Sequence, residues 1–204
     1  MDKKALYNIT YGVFLLGTTH NGTLNACITN TCMQVASSPT RIAIAVINAN
    51  YTADLLKESG VFALTLLDNT VHYETIKFFG MQSGRSVNKF PVAPATDANG
   101  CPYLPFSSCA VISARVVDSM DLGSHTLFIA EVEDAQRLSS NPPLTYADYQ
   151  ARVKPKPAAA APTRKVKAWR CKICGYVYEG ETLPEDYLCP LCGHDASDFE
   201  PVYE

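Results

Sequence analysis

No apolar run in the 204 residues approaches the ~20 that a membrane helix needs; the longest, such as Ile42 to Ile47, stop far short of it. A membrane-spanning helix is excluded on that ground. The early apolar stretch from Gly12 to Gly17 is interrupted by Thr18, Thr19, His20 and Asn21, too soon for a secretion signal, so a cytoplasmic protein is expected. Also missing are a Gly-x-Gly-x-x-Gly dinucleotide loop, a nucleophile elbow and a carboxylate pair in an interpretable setting. No internal repeat recurs at a fixed period.

What is present points to a folded chain of two unequal parts. With 47% apolar and 18% charged residues it has the composition of a globular protein, and its length suits one domain plus a small one. Charge is unevenly distributed. Residues 1–150 carry 9 Lys and Arg against 12 Asp and Glu, residues 151–167 carry 6 against none, and residues 168–204 carry 2 against 8. The middle segment alternates lysine and proline with alanine, cannot build a core, and reads as a linker. Its basic charge lacks aromatic residues on which bases would stack and adjoins an acidic unit, which argues against nucleic-acid binding.

The first 150 residues read mainly as short strands between turn residues: 11–18, 23–30, 41–48, 61–67, 106–118 and 122–134. A mainly β fold, barrel or sandwich, is expected. Two helices interrupt it, one with Thr52 as N-cap and a stop at Gly60, the other over 71–79 and ending at Gly80.

Residues 168–204 carry the strongest signal. Cys171-Lys-Ile-Cys174-Gly175 is followed by Cys189-Pro-Leu-Cys192-Gly193, with fourteen residues between Cys174 and Cys189. Two such turns supply four thiolates to one tetrahedral metal, and each trailing glycine lets the backbone adopt positive φ. Trp169, Tyr176, Tyr178 and Phe199 are the available core, so metal binding is expected to contribute to folding. Cysteine spacing leaves zinc and iron open. The four other cysteines, Cys27, Cys32, Cys101 and Cys109, lack ligand spacing and read as reduced core thiols.

The Cys-x-x-Cys-Gly-Tyr-Val-Tyr segment, the acidic loop around Leu183-Pro184-Glu185-Asp186, Cys-Pro-Leu-Cys-Gly and Asp198-Phe199-Glu200 resemble a rubredoxin. The short loop between the cysteine pairs is similar to the rubredoxin-like tail of rubrerythrins. The resemblance implies iron on Cys171, Cys174, Cys189 and Cys192, cycling between ferric and ferrous, where zinc has no redox chemistry.

The larger part is less explicit. Polar residues crowd Thr23 to Val35 and Asn48 to Thr52, where Asn and Thr either cap turns or bind the edge of a flat heterocycle. The ordered segments Gly12-Val-Phe-Leu-Leu-Gly-Thr-Thr, Asn25-Ala26 with Thr29-Asn30 and Gln34-Val35, Pro39 before the 42–47 strand, Asn50-Tyr51-Thr52, Ser83-Gly84-Arg85-Ser86 with Lys89-Phe90, and Gly123-Ser124-His125-Thr126 resemble the flavin reductase family. That resemblance implies an FMN-binding split β-barrel over about residues 5–150, forming a homodimer with flavin near the interface. It implies that Asn25, Ala26, Thr29, Asn30 and Thr31 lie along the isoalloxazine edge, with Asn48, Asn50, Tyr51 and Thr52 also at the cofactor. Ser83, Gly84, Arg85 and Lys89 meet its phosphate in this reading. Thr52 is either a further phosphate ligand or a plain cap. His125 falls where the family places a catalytic histidine beside nicotinamide, although Ser124 stands where the family usually has aspartate.

Joined, the two parts imply electron transfer from NADH or NADPH through FMN to iron, then to a partner. Fusions of this kind in anaerobic bacteria imply a flavodiiron protein reducing oxygen or nitric oxide. Two alternatives stay open: a reductase releasing free flavin, and a flavin-binding protein with a structural zinc ribbon.

Overall fold

The structure, a computed structural model, describes residues 1–155 and 166–203; they fall into two compact units, Met1–Lys154 and Pro155–Glu204. The larger holds β1 (Phe14–His20), β2 (Thr23–Thr29), β3 (Cys32–Ser37), β4 (Thr40–Ile47), α1 (Tyr51–Ser59), β5 (Val61–Leu67), α2 (Tyr73–Gly80), β6 (Ala95–Thr96), β7 (Pro102–Tyr103), β8 (Ser108–Asp121) and β9 (His125–Arg137). Seven strands form one sheet in the order β2-β1-β5-β8-β9-β4-β3, all pairs antiparallel. β2 and β3 are consecutive in sequence yet lie at opposite edges, so the sheet curls until those edges approach. At that seam Thr31 Oγ1 donates to the Ala45 carbonyl at 2.7 Å. The result is the expected split β-barrel.

The strands alternate as a curled sheet requires. Leu16, Cys27, Ile42, Ile44, Val46, Phe62, Leu64, Phe128 and Ala130 fill one interior together with Ala53 and Leu56 of α1. The opposite faces of β1 and β2 carry Val13, Leu15 and Ala26, which pack with Ile76 and Phe79 of α2, Leu144 and Tyr149. β5 is buried along nearly its whole length on both faces and reads as an apolar run broken only by Thr65, while β1 is buried on both faces through Leu15 to Thr18.

Differences from the sequence reading have local causes. β3 was not expected, because as an edge strand it keeps only Cys32 and Ala36 partly covered and offers little hydrophobic signal. The strands of the β8–β9 hairpin start two and three residues later and end three residues later than expected, the last residues of each being solvated and so invisible to apolar periodicity. The cap of α1 is Asn50, not Thr52: Asn50 Oδ1 accepts from the Thr52 amide at 3.1 Å, while Thr52 itself is fully buried. Of the linker expected over 151–167, residues 156–165 lie outside the described residues, and the described ends carry regular structure. Ala151 to Val153 complete a helical turn, Tyr149–Val153, and Val166 opens the next strand.

The second unit has β10 (Val166–Cys171), β11 (Val177–Glu179) and β12 (Phe199–Tyr203) in the order β11-β10-β12. Its core is Cys171, Cys189 and Phe199, with Trp169, Tyr176, Tyr178 and Tyr187 packed against them.

Candidate functional site

The four expected metal-binding cysteines converge. Their sulfurs all lie within 4.8 Å of one another, with Cys171 and Cys192 Sγ 3.7 Å apart and Cys174 and Cys189 Sγ 3.4 Å apart. A tetrahedral ion with bonds of about 2.3 Å needs sulfurs roughly 3.8 Å apart, so the cage fits one metal. Each Cys-x-x-Cys pair sits on the same kind of turn. Gly175 and Gly193, at φ 78° and 74°, return their amides to the Cys171 and Cys189 carbonyls at 2.9 Å. The Cys192 side chain, hydrogen-bonded to Cys171, pushes the Cys171 thiol down to about 5, and burial pushes Cys174 up to about 12. Thiols this close cannot all ionise without a cation between them. Cys171 and Cys189 are buried, whereas Cys174 and Cys192 are part-exposed beside the exposed Leu191 and Val177.

In the barrel the structure brings most of the expected cofactor residues into two adjoining groups. The first surrounds the start of α1. Asn25, 1% exposed, donates through Nδ2 to Thr52 Oγ1 at 2.9 Å. Gly84 lies against the Asn25 side chain, since a Cβ there would meet Asn25 Oδ1 at 2.2 Å. Arg85 pairs with Asp54 in the first turn of α1 and stacks 4.7 Å over the Tyr51 ring. The Ser83 hydroxyl and carbonyl accept from the amides of Arg85, Ser86 and Val87. An exposed guanidinium beside a helix N-terminus and a glycine-bearing turn is a donor set suited to a phosphate.

Three of the expected residues are buried and bonded within the protein. Lys89 points inward. It is 4% exposed, and Nζ donates to the carbonyls of Ala26 and Phe79 at 2.7 and 2.8 Å. Burial lowers its pKa. Ala26 does not border an open edge, because it is fully buried and its carbonyl is taken by Lys89. Thr52 offers no hydroxyl to a phosphate, being fully buried and bonded to Asn25. Behind this group Cys27 is buried, and burial pushes its thiol up, an effect only partly offset by the neighbouring Thr52, Lys89 and Asn50. Thr29, Asn30 and Thr31, by contrast, remain part-exposed at the β2–β3 turn.

The second group lies at the far end of β4. Asn48 Nδ2 donates to Asp121 Oδ1 at 3.1 Å and to the Gly123 carbonyl at 2.8 Å, and its Oδ1 accepts from Thr126 Oγ1 at 2.6 Å. Both ends of the amide are thus engaged in tying the β8–β9 turn to β4. His125 is paired with Ile47 across the strands, part-exposed, with Nδ1 2.8 Å from Ser124 Oγ.

Asp54 and Asp121 were not singled out from sequence. Lone aspartates at a helix start and a hairpin carry no distinctive pattern. A groove of about 670 Å³ lined by Phe78, Phe90, Tyr103 and Phe106 also went unread, although its aromatics stand in the chain as Phe-Phe, Phe-Pro and Pro-Phe pairs. Of the expected cofactor residues it is lined by Lys89 alone. Among the described residues no helix is long and apolar enough to cross a membrane.

Residues 6–154 match the family described as flavin reductase like domain, and residues 169–200 match that described as rubrerythrin, rubredoxin-like domain. A high molecular weight rubredoxin of Moorella thermoacetica is 31% identical, covering 99% of this chain and 100% of its own. A ferric-chelate reductase (NAD(P)H) of Archaeoglobus fulgidus is 38% identical over 76% of this chain and 93% of its own. Among solved structures, the flavin reductase HpaC complexed with NADP+ aligns with a TM-score of 0.60 at 25% identity, over 71% of this chain and 90% of that one.

Proposed function

The chain belongs to the flavin reductase-like family and carries a rubredoxin-like domain, and from that premise we propose that it takes electrons from NAD(P)H through FMN held on the barrel to iron held by Cys171, Cys174, Cys189 and Cys192, then to a separate acceptor. It is an oxidoreductase, as its NAD(P)H-dependent relatives are. The observation that carries the proposal is the presence in one chain of a four-thiolate cage and of a barrel whose Ser83–Arg85 turn adjoins the start of α1.

Bound FMN would accept a hydride and release electrons singly, and an iron on four thiolates would change oxidation state without changing ligands. The chain's own residues supply placement. Ser83 and Arg85, with the first turn of α1, hold the phosphate end. Thr29, Asn30 and Thr31 hydrogen-bond the ring edge. His125, with its ring fixed by Ser124, orients the nicotinamide, and Asn48 and Thr126 hold the hairpin that carries it. The four cysteines keep the metal site closed to other ligands, with Cys174 and Cys192 on its part-exposed side, the side by which electrons leave.

The chain acts as a homodimer in this reading, joined along the β3 edge. Exposed Met33 and Val35 there, and Val117, Met120 and Leu122 on the hairpin, support it, since unpaired edges and apolar surface favour association. The acceptor is a flavodiiron protein reducing oxygen or nitric oxide, and the location is cytoplasmic.

The Cys174→Ala substitution tests the division of labour. Flavin reduction by NADH is expected to persist in the full-length variant while delivery of electrons to a purified flavodiiron acceptor falls at least a hundredfold. Loss of flavin reduction along with delivery would contradict it.

A further inference from the structure

The turn that carries Ser83, Gly84 and Arg85 has no regular secondary structure of its own between α2 and β6. Three contacts fix it to the barrel. Gly84 lies against the buried Asn25 side chain, Arg85 reaches Asp54 and Tyr51, and Lys89 enters the interior. The third differs from the others in kind. The first is a packing contact and the second an exposed ion pair, whereas Lys89 places its ammonium between two backbone carbonyls from different elements, Ala26 in β2 and Phe79 near the end of α2.

That arrangement has a physical logic. Ala26 belongs to a strand at the edge of the sheet, so its carbonyl has one sheet neighbour and accepts from a side chain. The last carbonyls of a helix lack intrahelical donors and sit at the negative end of its dipole, so the Phe79 carbonyl favours a cation. A buried ammonium without such partners is costly. Only a chain path that returns Lys89 to this point satisfies all three groups, and that return fixes where residues 83–88 lie.

We propose that Lys89 is a positioning residue for the phosphate-binding turn: it acts through the backbone of 83–88 and through Arg85, and makes no contact with the phosphate itself. The inference rests on the proposed flavin site. It deepens that reading by separating the group that touches the ligand from the group that places it. In this account flavin-free protein already has its turn in place, and Lys89 lowers the ordering cost that binding would otherwise carry.

The test uses full-length protein freed of flavin, with FMN and riboflavin as probes, in wild type, Arg85→Ala, Lys89→Met and the double variant. Riboflavin lacks the phosphate, so the ratio of the two affinities reads the phosphate site alone. Arg85→Ala and Lys89→Met are each expected to lower that ratio at least tenfold, and the double variant to fall no further than the weaker single variant. In flavin-free Lys89→Met the backbone amides of 83–88 should exchange hydrogen at least tenfold faster, with those of β8 and β9 unchanged. Lys89→Gln, which retains a donor without charge, should lie between the two and serves if Lys89→Met does not fold. Losses that multiply in the double variant, or turn amides that exchange at the wild-type rate, would overturn the proposal. If wild type binds FMN and riboflavin equally, the flavin-phosphate reading itself fails, while hydrogen exchange still decides whether Lys89 fixes the turn.

Discussion

Replacing Asn48 with alanine should weaken the barrel and slow hydride delivery while leaving FMN affinity nearly unchanged. The magnitude follows from the groups left behind. Thr126 is 3% exposed and its hydroxyl donates to Asn48 Oδ1; a buried hydroxyl without a partner costs about 1–3 kcal/mol. The bond to the Gly123 carbonyl is exposed, and its loss costs about 0.5–1.5 kcal/mol. The contact with Asp121, fully solvated, is left uncounted. The sum is about 1.5–4.5 kcal/mol, which for a domain of this size lowers Tm by roughly 3–18 °C. Because the freed hairpin carries His125, kcat/KM for NADH should fall with it. The assays are thermal unfolding of the barrel, FMN titration by flavin fluorescence and stopped-flow flavin reduction. An unchanged Tm with FMN affinity lost more than tenfold would refute the hairpin role and make Asn48 a flavin ligand.

Three further outcomes are expected. Gly84→Ala places a methyl against the buried Asn25 amide; overpacking of this kind costs about 1–3 kcal/mol, and the variant should bind FMN at least tenfold more weakly in a fluorescence titration. Burial pushes the Asp68 carboxyl up, but hydrogen bonds from Thr70, Asn141 and Ser139 outweigh it and hold the group below its usual range. A lowered pKa contributes stability that is present above the unfolded value and lost as pH falls through the folded one. Wild type should therefore lose Tm more steeply than Asp68→Asn on acidification below about pH 4, and parallel curves would show that the carboxylate contributes nothing. Residues 168–204, with 8 acidic against 2 basic side chains, should dock faster on a basic partner at low salt; a second-order rate independent of ionic strength would contradict steering.

The metal cage was legible because its chemistry demands fixed spacing: two Cys-x-x-Cys turns ending in glycine can do little else in so short a unit. β5 was legible to the residue, since a strand buried on both faces shows as an apolar run, here broken only by Thr65. β3 was not, because its exposed edge position leaves no pattern to read. At the candidate cofactor site sequence resemblance picked out segments that the fold brings together, but it did not show which side chains point inward. Whether Lys89 points outward to a phosphate or inward to the Ala26 and Phe79 carbonyls depends on where α2 ends relative to β2, a tertiary fact that no local pattern encodes. The same holds for Asn48 and Thr52, whose polar side chains satisfy other buried or turn groups.

The central claim, that electrons pass from a nicotinamide through the barrel to the four-cysteine centre, is tested most directly by the anaerobic visible spectrum of metal-replete, FMN-loaded protein during titration with NADH. The account predicts that flavin and ferric-thiolate bands both bleach, the second only while flavin is present. Bleaching of flavin with the ferric-thiolate band untouched would contradict it.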